Sequence, residues 1–258
     1  MRRFRQHYWL SLSNLLQVGI GLGLIILANS VLASPETKRE PGMTPFTASY
    51  ELRLNGFKVG EAEVKLVRTA DGRVIYRRDS RAKGILALIR NDHIKELAIS
   101  QLEQGRFKPL RFEYRHEGGG RIRAEEIRFD WSKEQAFSDH RGDQDTFAIE
   151  PGVLDRMTLE LAVMRDVAKG RKALIYPVIA YGKKRQWQLH RHGQEYVETP
   201  AGRFLALIVK REHHNSKRAT TFWLSYEIAY LPVRVVYREK NGDRGELLLM
   251  SSSFERRP

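Results

Sequence analysis

Phe46-Thr47-Ala48-Ser49-Tyr50-Glu51-Leu52-Arg53-Leu54 is the stretch on which the fold turns, because five apolar residues alternate strictly with four polar ones. Successive side chains of a strand point to opposite faces, so this period of two places one face in a core and the other in water. Asn55-Gly56 follows directly, a pair suited to the tight turn of a hairpin. Beyond it Ala62, Val64 and Leu66 alternate with Glu61, Glu63 and Lys65. The pattern returns where Leu110, Phe112, Tyr114 and His116 alternate with Arg111, Glu113, Arg115 and Glu117. Further turn signals stand at Asp71-Gly72, Gln104-Gly105, Gly118-Gly119-Gly120, Pro200-Ala201-Gly202 and Asn241-Gly242. Half-buried strands joined by local reversals make an antiparallel meander.

One segment breaks the rule. From Val153 to Lys169, Leu154, Met157, Leu161, Met164 and Ala168 fall on one stripe at helical spacing. Asp155 suits a cap or first turn, Lys169 the last turn, and Gly170 the stop. A single helix of about four turns cannot supply the crossovers of a parallel sheet. The expected fold is therefore mainly β: an antiparallel meander forming an incomplete barrel or strongly curved sheet, with one long helix at about 153–169 packed against it or plugging one end. Roughly seven strands are expected before the helix and five or six after it.

The amino-terminal end carries an address. Arg2, Arg3 and Arg5 precede an uncharged stretch whose apolar part runs from Leu15 to Leu32 and ends in Val31-Leu32-Ala33. That order of basic, apolar and small residues is the layout of a secretory signal, so residues 1–33 are expected as a signal peptide cut after Ala33. The competing reading is an uncleaved anchor, since the apolar part is near the minimum length for a bilayer-spanning helix. Both place the rest of the chain in the periplasm, beyond a bacterial inner membrane. Residues 34–45 read as a linker poor in anything to bury, and 46–258 as a single β-rich domain.

Composition narrows the chemistry further. The formal charge is +14, and removing the three arginines of the signal leaves +11. Such a surplus draws a protein toward anionic partners without choosing among them. Cysteine is absent, which excludes disulfides, thiolate nucleophiles and cysteine-ligated metal. Arg111, Arg115, Lys183, Lys184 and Arg185 lie on polar strand faces and are the candidate contacts for an anionic membrane surface or glycan. Tyr114 and Tyr237 alternate with the arginines instead of sharing their face, which argues against base stacking and so against nucleic acid. No cofactor is expected.

Catalytic signals are weak. His190, His192 and, through the turn at 200–202, His213 are a candidate imidazole trio. Gly193, Arg191 and Lys210 argue against it by breaking register and repelling cations, so no metal is expected. Glu125-Glu126 and the Asp143, Asp145 pair read as surface charge. No Gly-x-Ser-x-Gly, His-Glu-x-x-His or phosphate-loop motif is present. The short apolar run Gly84 to Ile89 reads as buried core or as an apolar lip at a cavity mouth.

Three stretches, Asn55-Gly56-Phe57-Lys58-Val59-Gly60-Glu61-Ala62, Glu198-Thr199-Pro200-Ala201-Gly202-Arg203-Phe204 and Phe222-Trp223-Leu224-Ser225 leading into Tyr230-Leu231-Pro232-Val233-Arg234-Val235, carry a likeness. Together they resemble the exported bacterial family of domain of unknown function 3108, over about residues 46 to 254. The resemblance implies export and a β architecture, and brings no catalytic residues. More distantly the pattern is similar to the open barrels that carry lipoproteins across the periplasm. The leading expectation is a non-catalytic module that binds a lipid-like, apolar or amphiphilic ligand in a cavity lined by Tyr50, Leu52, Phe112, Tyr114, Leu161 and Trp223. The alternatives are an assembly factor that holds other envelope proteins through its sheet edges and, less favoured, a hydrolase built on His190.

Overall fold

The computed structural model describes residues 41–84, 87, 91–118, 120–212 and 217–257. The expected signal segment, residues 34–40, most of the 84–89 run and His213 lie outside the described residues.

Alternation becomes strands where it was read and where it was not. Before the helix come β1 (Phe46–Leu54), β2 (Phe57–Arg68), β3 (Arg73–Ala82), β4 (His93–Glu103), β5 (Arg106–Gly118), β6 (Arg121–Asp130), β7 (Gln135–His140), β8 (Asp143–Ala148) and the two-residue β9 (Leu154–Asp155). After it come β10 (Leu174–Ala180), β11 (Lys183–Thr199), β12 (Gly202–Glu212), β13 (Ala219–Ser225), β14 (Leu231–Arg238) and β15 (Arg244–Ser252). All belong to one sheet that runs from β8 back to β1, crosses to β15, and descends to β9. Each neighbouring pair is antiparallel except β9 and β10, where Leu154 and Asp155 lie parallel to Val178 and Ile179. β1 pairs with β2 on one side and β15 on the other, so the first and last strands meet in the middle of the sheet. The two edges, β8 and β9, are not bonded to each other, which leaves an incomplete barrel with one open seam.

The helix α1 (Arg156–Ala168) begins later than its sequence pattern, because Leu154 and Asp155 pair with β10 before the chain turns. Asp155 is the cap: its carboxylate accepts the N–H groups of Met157 and Thr158, both at 2.8 Å, satisfying two donors that a helix leaves open. Thr158 donates its hydroxyl to the other Asp155 oxygen and lies 2.9 Å from the Ser100 hydroxyl on β4, so the cap is also tied to the sheet. The helix was expected to bury one stripe; ten of its thirteen residues are buried. The sheet curls around it, and even Arg165 and Asp166 are enclosed, paired with each other at 3.0 Å and with Gly105 O and the Tyr176 hydroxyl.

Leu161 takes a close partner from the segment read as linker. Gly42 lies so near the Leu161 carbonyl that a Cβ there would come within 2.3 Å of the oxygen, and Met43 beside it is buried. Below the helix an apolar layer of Val74, Phe112, Ile127, Leu174, Val209 and Leu249 fills the concave face of the sheet. That burial is the main stabilising term.

Candidate functional site

The concave face changes character along its strands. On β3 the inward residues run Val74, Tyr76, Arg78, Ser80; on β4, Ser100, Ala98, Glu96; on β6, Phe129, Ile127, Glu125; on β12, Val209, Arg211. On β3, β6 and β12 the period of two carries an apolar stretch into a polar one on the same face, and on β4 it leads from Ser100 and Ala98 to Glu96. These polar ends stand above the first turn of α1, and a cavity of about 600 Å³ opens between them.

Its floor is a chain of alternating charges. Arg156 donates from Nη1 to Glu125 at 2.8 Å and from Nε to Glu96 at 3.3 Å. Arg78 donates to the second Glu96 oxygen at 3.2 Å and to Glu160, which also accepts from the Tyr76 hydroxyl at 3.3 Å. Glu125 is the deepest member at 1% side-chain exposure. Burial, opposed by Arg78, lifts the Glu160 carboxyl above the ordinary carboxylate range. The Arg156 guanidinium lies over the rings of Tyr114, Phe112 and Tyr181 at 4.5, 4.7 and 4.9 Å, so its apolar face is covered as its edge is bonded.

The opposite wall is built by β11 to β14. Arg211 is buried with its guanidinium 3.5 Å from the Trp187 ring centre, and burial lowers its pKa to about 10. Leu52, Ile94, Leu189, Phe222 and Leu247 add apolar surface. At the mouth stand Arg141, Arg218, Arg238 and Glu239. Six arginines and four glutamates thus face the space, an excess of two positive charges, with His140 beside Glu125 at 3.7 Å.

The open seam is laced at the same level. Glu125 accepts the Gly182 N–H at 3.2 Å, and Lys184 donates to Ala148 O at 2.8 Å and to Glu150 at 2.5 Å. These bonds tie the β10–β11 turn to the β6 to β8 side without a strand ladder.

The structure divides the residues expected to line a cavity. Leu52 and Tyr114 do so. Tyr50, Phe112 and Leu161 are solid core, the Tyr50 hydroxyl donating to Pro232 O at 2.9 Å. Trp223 faces outward between buried Phe222 and Leu224; its indole donates to Glu195 at 2.5 Å and Arg234 covers the ring. Glu125, read as surface charge, is instead a buried partner of Arg156. Arg111 and Arg115 are on the convex face in exposed pairs with Glu113, Glu126 and Glu117. Lys183 and Arg185 are exposed, whereas Lys184 belongs to the seam. His190 pairs with Lys210, and a bulge between Arg191 and Gln194 displaces His192 from that register; both are exposed. Arg78, Glu96, Arg156, Glu160 and Arg211 escaped the sequence reading, although Arg78, Glu96 and Arg211 continue the inward parity of their strands and Arg156 and Glu160 stand one turn apart on α1.

No curated protein matches the chain. Among solved structures, a β-barrel-like protein of domain of unknown function DUF1849 from Brucella abortus superposes with a TM-score of 0.51 at 8% identity, covering 83% of this chain and 98% of that one. MucB superposes with a TM-score of 0.34 at 8% identity, covering 85% of this chain and 56% of MucB. The first of these shows the fold, a barrel-like β protein. A family model, "Protein of unknown function (DUF3108)", matches residues 49–249, the strands that build the cavity included, and the chain therefore belongs to the DUF3108 family.

Proposed function

We propose that the chain is a non-catalytic binding module of the bacterial periplasm that holds an amphiphilic, lipid-like ligand with an acidic head. One observation carries this reading: a cavity of about 600 Å³ that combines apolar and aromatic walls with an excess of arginine over glutamate. That volume falls within the usual range for small-molecule sites, roughly 300–1,000 Å³. Of the two ligand classes expected, apolar or amphiphilic, the divided lining favours the amphiphile. Leu189, Phe222 and Leu247 suit a hydrocarbon, while Arg211, held on Trp187, suits an anionic head that accepts charge-assisted hydrogen bonds. The periplasmic address is supported by the basic, apolar and small-residue order of residues 1–33.

Titration of the full chain with oleate and with oleyl alcohol, both below their aggregation limits, tests this by calorimetry. Saturable one-to-one binding of the acid, weaker binding of the alcohol, and a loss of at least about tenfold for the acid in Arg211→Met are expected, since a charged hydrogen bond contributes roughly 1.5–3 kcal/mol. Equal affinity for the two probes, or no saturable binding, would overturn the reading and favour a scaffold that acts through its sheet edges.

A further inference from the structure

The two ends of the barrel are unlike. At one end the carboxyl-terminal half of α1 fills the opening, with Arg165 reaching Gly105 O in the β4–β5 turn. At the other, the turns β1–β2, β5–β6, β7–β8, β10–β11 and β14–β15 surround the cavity mouth. The second end also gathers exposed apolar side chains. Seven large hydrophobic residues are exposed among the described residues, and four of them, Phe57, Ile122, Tyr181 and Leu54, stand on these turns or the strand ends beside them. Phe57 and Ile122 are the most exposed of all, at 77% and 64%.

Phe57 stands at the tip of a hairpin whose turn is Asn-Gly, and most of its ring is uncovered. The two most exposed sites lie on β2 and β6, four interstrand steps or about 19 Å apart as followed along the curved sheet, so they make two separate anchors and not one sticky patch. Around them the exposed bases Lys83, Arg141, Lys217, Arg238 and Lys240 share the same end. Among the acids of that end, Asp92 is engaged by His116, Glu239 by Arg218 and Asp243 by Asn55, while Asp143 stands exposed beside the β7–β8 turn and leaves the bases in excess. Apolar tips within a basic rim match the headgroup layer of an anionic bilayer in both polarity and charge.

We propose that this end of the barrel docks on an anionic lipid bilayer, with Phe57 and Ile122 entering the headgroup layer and the basic rim over the phosphates, so that the cavity mouth faces the membrane. This moves the membrane contact from the convex strand faces to the rim. It builds on the cavity reading, which a separate readout checks.

Because the chain has no cysteine, single cysteines carry a label unambiguously. Full-length chains with Phe57→Cys, Ile122→Cys or Lys172→Cys are labelled with an environment-sensitive fluorophore and mixed with vesicles of phosphatidylcholine alone or with phosphatidylglycerol. Lys172 is exposed at the helix-filled end and serves as the reference, and the amino-terminal apolar segment is common to all three. Blue-shifted emission at 57 and 122 but not at 172, on anionic vesicles only and reversed by salt, is the expected result. Lys83→Glu with Lys240→Glu is expected to weaken it by at least about tenfold. Unshifted labels at 57 and 122, an equal shift at 172, or an equal shift on phosphatidylcholine would overturn the docking. Oleate calorimetry on the same charge-reversal variant separates the two claims: unchanged affinity with lost docking leaves the cavity reading intact.

Discussion

At the scale of single residues, the charged floor of the cavity is where the proposed binding and the stability of the fold meet. Arg156 is 12% exposed, holds Glu96 and Glu125 together, and covers three aromatic rings. Its replacement leaves two carboxylates without their shared partner in a poorly hydrated site. Arg156→Met is therefore expected to destabilise the fold by about 3–5 kcal/mol, and Arg156→Met combined with Glu125→Gln by less than Arg156→Met alone, both read from urea unfolding. If the single variant loses under about 1 kcal/mol, the site is far better hydrated than its burial indicates. Asp155 tests the helix cap. Burial pushes its carboxyl up to about 6, against hydrogen bonds from Thr158 and Met157 that favour the charged form. An unfolded aspartate releases its proton near 4, so between about pH 4 and 6 the folded state binds more protons. This group's contribution is thus fully present below about 4 and lost as pH rises through 6. Asp155→Asn keeps a capping oxygen and removes the titration. Thermal melts should show it at least as stable as the parent at pH 7, with the advantage shrinking toward pH 4; an advantage that grows on acidification would contradict the assignment.

At the scale of elements, the sequence was most legible where one physical rule acted alone. β1, β2 and β5 could be read from alternation because each buries one face only, and Asn55-Gly56 or Asn241-Gly242 demands a local reversal. The helix was visible as a stripe, but its true environment was not: a helix encircled by sheet buries all sides, and the sequence pattern records only its strongest apolar side. The cavity was hidden for the opposite reason. Arg78, Glu96 and Glu125 sit at inward positions, and a charge at such a position looks like an interruption of a strand's pattern until the partner, Arg156 on another element, is brought beside it. Only two of six expected lining residues, Leu52 and Tyr114, reach the space, because the others lie one layer deeper or, in Trp223, on the far face. One glycine of the shared sequence stretches gains a reason from the structure. A Cβ on Gly60 would stand 2.3 Å from the Arg81 carbonyl oxygen, beside the bulge that shifts β1 against β2 between Leu52 and Arg53. Gly60→Ala must displace backbone on β3 and is expected to lose roughly 2 kcal/mol or more. Chemical denaturation checks it, and an unchanged midpoint would mean that the two strands part easily.

At the scale of the whole molecule, a meander that closes on itself through β1 and β15 still stops short at β8 and β9, and the gap is held by Lys184 and Glu125 instead of a ladder. A sheet so curved is too wide for its own side chains to fill. α1 occupies one end of that width, and the charged cavity is what remains at the other. The account's central claim is that this remainder holds an acidic amphiphile. The most direct measurement is native mass spectrometry of the full chain purified from a bacterial envelope without denaturation, followed by solvent extraction of whatever it carries. One acidic amphiphile per chain, diminished in Arg211→Met, is the expected result. A chain that is empty in every preparation, or that carries only uncharged lipid unaffected by Arg211→Met, would contradict it.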